Sequence, residues 1–195
     1  MPTARTQPAI YQLKISLERI SPPVWRRVLV PSTMKLSELH FVIQSAMGWE
    51  TGHLHYFSKG VVHYGEDDEY GESEARVRIK DLLTAERQSL NYLYDFGDSW
   101  RHKVVLEKIL QRLPGVKYPR LVDGKNRCPP EDCGGLGGYM RLLEVLADPS
   151  HEEHYSMRDW VGEDFNPQEF DFVRAQQRVS GEEPQLRDEQ TTLEF

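Results

Sequence analysis

The hydrophobic period of this chain changes along its length, from two near the N-terminus to 3.6 after Gly138, and that change constrains the fold more than any single motif. Tyr11, Leu13, Ile15 and Leu17 alternate with Gln12, Lys14, Ser16 and Glu18, the pattern of a strand with one buried face. Ser21-Pro22-Pro23 interrupts it, because proline removes donors and holds its predecessor extended. Val24 to Val30 predicts a second strand, antiparallel to the first. Leu36, Leu39, Ile43 and Met47 then form one stripe of a helix over 36–47, with Gly48 in position for a left-handed stop. His53–Phe57 and Val61–Tyr64 predict a hairpin around Lys59-Gly60, and Ile79–Leu83 a short strand or the start of a helical turn. Leu90–Tyr94 and Trp100–Leu110 predict another hairpin, turned by Asp95-Phe96-Gly97-Asp98.

After an irregular Pro/Gly-rich stretch, 114–138, Tyr139, Leu142, Leu143 and Leu146 recur at helical spacing. Ser150 with Glu153 matches a capping box, and Asn166-Pro167 with Glu169 marks another helix start, stapled by Phe165 and Phe170. The expected fold is therefore α+β: an antiparallel or mixed β-sheet, a helix inserted after the first hairpin, and a C-terminal group of about three helices. Residues 1–9 read as a flexible leader, 10–179 as a single domain and 180–195 as a polar, disordered tail.

Composition narrows the function classes. The chain has 195 residues, 24 basic and 31 acidic side chains and a net charge of −7. Two cysteines, no signal-like apolar segment and no membrane-length run place it in the cytoplasm. The acidic balance weakens a nucleic-acid-coating role. Yet Glu66, Asp67, Asp68, Glu69, Glu72 and Glu74 lie together in what reads as a solvated loop, and without those six the charge of −7 becomes −1. A local basic patch stays compatible with the composition.

The densest chemistry lies in Tyr94–His102. Asp95-Phe96-Gly97 matches a kinase magnesium triplet, but the other kinase signatures are missing. A tight turn is the simpler reading, with Gly97 at positive φ and Phe96 and Trp100 anchored in the core. Cys128 and Cys133, five positions apart, could form half of a zinc site, with His53 and His55 completing it from one strand face. His40, His63 and His102 are other donors. Arg26 and Arg27 beside Trp25 cannot act as one fork on a strand, and pairing with Asp95, Asp98, Glu131 or Asp132 is expected. The glycines 134–138 lead into a helix but match no nucleotide fingerprint, and they read as flexible packing.

Taken in order, PPVWRRVLVP, LSELHFVIQSAMGWETGHLHYF, YLYDFGDSWRHKVVLE, YPRLVDG and CPPEDCGGLGGYMRLLEVLADP resemble the plasmid pRiA-type Orf-three-like family. The resemblance covers about residues 10–179. It implies an α+β domain of plasmids, mobile elements and bacterial or archaeal chromosomes, with no established activity. Some relatives carry a further cysteine after the Tyr-Pro pair, where this chain has Leu121 and Val122. Resolvase-like labels in the family lack support here, since no nucleophilic serine with clustered arginines and no basic helix-turn-helix is visible.

The leading expectation is a non-catalytic binding or accessory module linked to mobile DNA. Trp25, Arg26, His53, Asp95, Asp98, Trp100, His102, Glu131 and Asp132 would line one groove for a protein or small-ligand partner, without a cofactor. A metal-dependent hydrolase or nuclease using some of the same carboxylates and histidines is the first alternative; the candidate ligands of a zinc or other divalent metal are His53, His55, Cys128 and Cys133. A DNA-binding accessory is the second.

Overall fold

The structure, a computed structural model, describes residues 7–66 and 71–182. Most of the expected leader, Asp67 to Glu69 of the acidic loop and the tail from 183 onward lie outside the described residues.

The N-terminal alternation produces β1 (Ile10–Leu17) and β2 (Trp25–Pro31), paired antiparallel. Helix α1 (Leu36–Met47) follows and ends at Gly48, whose φ of 93° is the left-handed stop expected there. Strands β3 (His55–Lys59), β4 (Val62–Gly65) and β5 (Glu72–Ser73) lead to the short helix α2 (Ile79–Leu82). Then come β6 (Ser89–Tyr94), β7 (Trp100–Leu110), β8 (Arg120–Lys125) and helices α3 (Gly135–Ala147), α4 (His154–Val161) and α5 (Phe172–Ser180).

The eight strands of the described residues form one sheet in the order β5-β4-β3-β6-β7-β1-β2-β8, parallel between β4 and β5 and antiparallel at the other pairings. One face is packed. Tyr11, Leu13, Ile15, Val28, Val30, Phe57, Tyr92, Val104 and Leu106 are buried together with Leu36, Leu39 and Ile43 of α1. Each such aliphatic side chain contributes roughly 1.5–3 kcal/mol of transfer free energy. The intervening residues, Gln12, Lys14, Ser16, Arg27 and Lys103 among them, are half-buried or exposed. Among the described residues no helix is long and apolar enough to cross a membrane.

Several local expectations are corrected. The stretch 114–138 contains β8, an edge strand with Leu121 as its buried side chain; edge pairing needs little hydrophobic pattern, so the strand leaves little trace in sequence. Helix α3 begins at Gly135, ahead of its apolar stripe. Ser150 does not cap α4: its N–H and Oγ donate to Asp148 at 2.9 and 2.6 Å, and the helix starts after Glu153. Asn166 makes only a local turn, accepting from the Gln168 N–H. Asp171 caps α5 by accepting from the Arg174 N–H at 2.9 Å. Glu72 lies in a strand, and Glu74 is buried rather than solvated, with Oε2 3.0 Å from His55 Nε2.

Candidate functional site

The β6–β7 turn is built by its aspartate. Asp95 takes φ 57°, its Oδ1 accepts the Gly97 and Asp98 N–H groups at 2.8 and 3.2 Å, and its own N–H donates to Leu54 O at 2.9 Å. A short polar side chain that bonds its own backbone tolerates the left-handed region. The positive φ values therefore fall on Asp95 and Ser99 rather than on Gly97. Trp100 is buried as expected, whereas Phe96 is 36% exposed. These bonds leave Asp95 buried with Oδ2 toward His53, whose Nδ1 is 3.7 Å away.

The Cys128–Cys133 segment meets the same end of the sheet. Trp49 packs on Tyr94 with centroids 5.2 Å apart and donates Nε1–H to Pro129 O at 2.9 Å. Glu131 accepts from Tyr94 Oη at 2.6 Å and from the Glu50 N–H at 2.8 Å. Burial, then the Glu131 carboxylate, raises the Tyr94 phenol well above its usual range. So anchored, the loop brings Asp132 Oδ1 to 3.4 Å from His53 Nε2. His53, Asp95 and Asp132 each offer a donor atom, all within 4.8 Å of one another. Asp95 is buried, His53 half-buried and Asp132 exposed, so the group opens to solvent on one side.

Beside it lies a cleft of about 640 Å³ between the end of α1, the 127–132 loop and helices α4 and α5. Arg26 reaches it from β2, Glu131 and Asp132 from the loop, Trp160 from α4, Arg174 and Arg178 from α5, and Glu169 from the segment between those helices. Arg26 is 1% exposed and, contrary to expectation, forms no ion pair with a carboxylate among the described residues. Its guanidinium donates to Ala46 O at 2.8 Å and to Trp25 O and Lys125 O at 2.9 Å, and lies 3.8 Å over the Phe170 ring. Burial lowers it to about 10, so it stays charged at neutral pH. Arg27 points to the opposite sheet face and pairs with Glu107 and Asp123, both at 2.6 Å.

The other candidates separate. Trp25 lies on the open face with Arg27. The Asp98 carbonyl abuts Gly135, and its Oδ2 is buried without a hydrogen bond among the described residues. Trp100 and His102 pack around Trp49 in the interior. His55 does not join His53: β3 begins at His55, so strand alternation does not govern His53. His55 instead stacks on His40 at 3.6 Å beneath α1. Cys128 and Cys133 stay free, and burial raises both thiols to about 12, leaving them neutral at pH 7. Among the described residues neither cysteine nor His55 belongs to a group of three ligating side chains. Trp160, Arg174 and Arg178 escaped the sequence reading, and Trp49 entered it only within a family motif. An exposed tryptophan beside arginines was the available signal, but no spacing ties them to Asp132.

The buried histidines make acid stability testable. Burial, then His55, lowers His40 to about 3, and burial lowers His102 to about 4. Both bind protons more tightly when unfolded, near 6.5. Their contribution is thus fully present above that value and is lost as pH falls through the folded values. Melting temperature should fall from about pH 6.5 toward 4, each histidine contributing up to about 1.4 kcal/mol per pH unit. His102→Gln should flatten that slope in a pH series of thermal melts; an unchanged slope would remove His102 from the account.

The fold and the cleft define a class: an α+β domain whose eight-stranded sheet presents a hairpin tip to a Pro-Pro-Glu-Asp loop and two C-terminal helices. The chain belongs to the plasmid pRiA4b ORF-3-like protein family, whose sequence pattern matches residues 9–174. It is 42% identical over 159 residues to the uncharacterized protein y4hQ of Sinorhizobium fredii (strain NBRC 101917 / NGR234), covering 79% of this chain and 81% of that protein. The crystal structure of a protein of unknown function, MM3350 from Methanosarcina mazei Go1, superposes with a TM-score of 0.80 at 40% identity. That match covers 86% of this chain and 98% of the other. Relatives thus occur in bacteria and archaea, with no function established among them.

Proposed function

We propose that the chain is a binding module linked to plasmid or mobile DNA, taking a small polar ligand in its cleft beside a divalent cation on His53, Asp95 and Asp132. One observation carries the reading: three segments distant in sequence bring their donor atoms within 4.8 Å at the edge of a ligand-sized cleft. Imidazole and carboxylate donors suit zinc or manganese better than a thiolate-selective ion. Fixing Asp95 by two N–H bonds holds one ligand in place, as supporting hydrogen bonds do in metal centres. Titration calorimetry with Mn²⁺ and Zn²⁺ should show one site, weakened at least tenfold by Asp95→Asn and by His53→Ala. Asp98→Asn should leave cation affinity unchanged. No saturable binding at millimolar cation would overturn the reading.

A second reading, a metal-dependent hydrolase, rests on the exposure of Asp132, 74% by its side chain. An open coordination position admits a water, and a cation lowers the pKa of that water toward neutrality. Phosphodiester cleavage with Mn²⁺ that disappears in Asp95→Asn would establish it; cation binding with no turnover leaves the binding module.

A further inference from the structure

We infer that the open face of the sheet, opposite the helices, is a binding surface for single-stranded nucleic acid. Strand register gathers its cations from separate segments. Trp25 stands opposite Lys125 on β8 and Ser16 on β1, and Ser16 stands opposite Lys103 on β7. Paired residues of antiparallel strands share a face, so Lys103, Arg101 two positions away and Lys125 project outward together. Gln12 opposite Lys108 and Leu29 opposite Arg120 add two more. These five cations are exposed and form no ion pair among the described residues.

Of the acidic groups of this face, Glu107 and Asp123 are both held by Arg27, and exposed Glu18 sits at the rim, in the turn after β1. A chain with net charge −7 therefore carries a local cationic surplus on one face. That complementarity selects a polyanion.

Aromatic rings argue for single strands. Trp25 lies beneath Lys14 and Arg27, whose charged groups are 4.9 and 5.0 Å from its ring centre. Toward the other edge Tyr56 stacks on His63 at 4.7 Å and meets the exposed Phe96 at 5.8 Å. Between β2 and β3 lie four strand spacings, about 19 Å, with Arg101 and Lys103 in the middle. Cations flanked by π-faces suit unpaired bases and a phosphate backbone. In a duplex the base faces are hidden.

Fluorescence anisotropy with a labelled thymidine oligomer of about twenty nucleotides tests the surface. Binding should weaken as salt rises, with a log–log slope of about −0.7 per phosphate contacted. The double substitution Arg101→Glu, Lys103→Glu lies on exposed positions and should reduce affinity at least tenfold and make the slope shallower. Trp25→Ala should reduce affinity about tenfold, and His53→Ala should leave it unchanged, which separates this surface from the cation site. The inference is overturned if the native protein does not bind at 25 mM salt, if the double variant binds as well as native, or if duplex binds more tightly than the single strand.

Discussion

Gly138→Ala is expected to destabilise the protein by about 3 kcal/mol or more, the largest effect of any single methyl group added to the helix α3 start. A Cβ at that position would stand 1.8 Å from the Cys133 carbonyl oxygen and 2.8 Å from its carbon. Both are backbone atoms, so the clash cannot be relieved by turning a side chain. The Cys128–Cys133 loop would have to lift from α3, taking Asp132 and Glu131 with it. Gly135→Ala should approach the same loss by another route. Its φ is 64°, and its Cβ would meet the Asp98 carbonyl oxygen at 2.4 Å; the left-handed region alone costs a non-glycine residue roughly 1–2 kcal/mol. Gly137 supplies the control, because a Cβ there meets nothing within 4 Å. Alanine at 137 should be neutral or stabilise by up to about 1 kcal/mol through helix propensity. Urea unfolding of the three variants decides it, and a Gly138→Ala protein as stable as Gly137→Ala would show that α3 does not press on this loop.

Arg26→Met should lower stability by about 3–5 kcal/mol, although it replaces a charge with an apolar side chain of similar length. Three carbonyl oxygens, of Ala46, Trp25 and Lys125, would lose their donor. A hydrogen bond to a charged donor contributes about 1.5–3 kcal/mol, and unpaired buried acceptors add their own desolvation penalty. Arg26→Lys should recover only part of the loss, because an ammonium lacks the planar fork and its stacking on Phe170. Arg27→Met, one residue along on the solvent side, should stay within about 1 kcal/mol, the usual scale of exposed ion pairs. Equal effects at the two positions in denaturant melts would contradict the division of the sheet into a packed and an open face.

The elements legible in sequence were those whose signal is local. Tyr11, Leu13, Ile15 and Leu17 mark β1 and Leu36, Leu39, Ile43 and Met47 mark α1 because a buried face repeats with the period of its own backbone. Strand β8 was not legible, since an edge strand with one buried leucine has no such repeat. Capping signals at Ser150 and Asn166 misled for a related reason: the same side chains close local turns without starting a helix. Of the candidate site, His53, Asp95, Asp132, Glu131 and Arg26 were all named from sequence. The expected groove grouped these five with Trp25, Asp98, Trp100 and His102, whereas Trp25 lies on the open face, Trp100 and His102 pack in the interior, His55 stacks on His40, and Cys128 lines the cleft wall.

The order of periods in the chain by itself determined the α+β class, the first two hairpins and the inserted helix. Only the tertiary structure decided that Glu74 is a buried partner of His55, that Asp132 reaches His53, and that Lys103, Lys108, Arg120 and Lys125 share one face of a chain with net charge −7. Periodicity is a property of neighbours along one backbone, whereas charge convergence depends on which strands pair and in what register. Moving a strand's register by one residue would carry the cations to the core face and leave the composition unchanged.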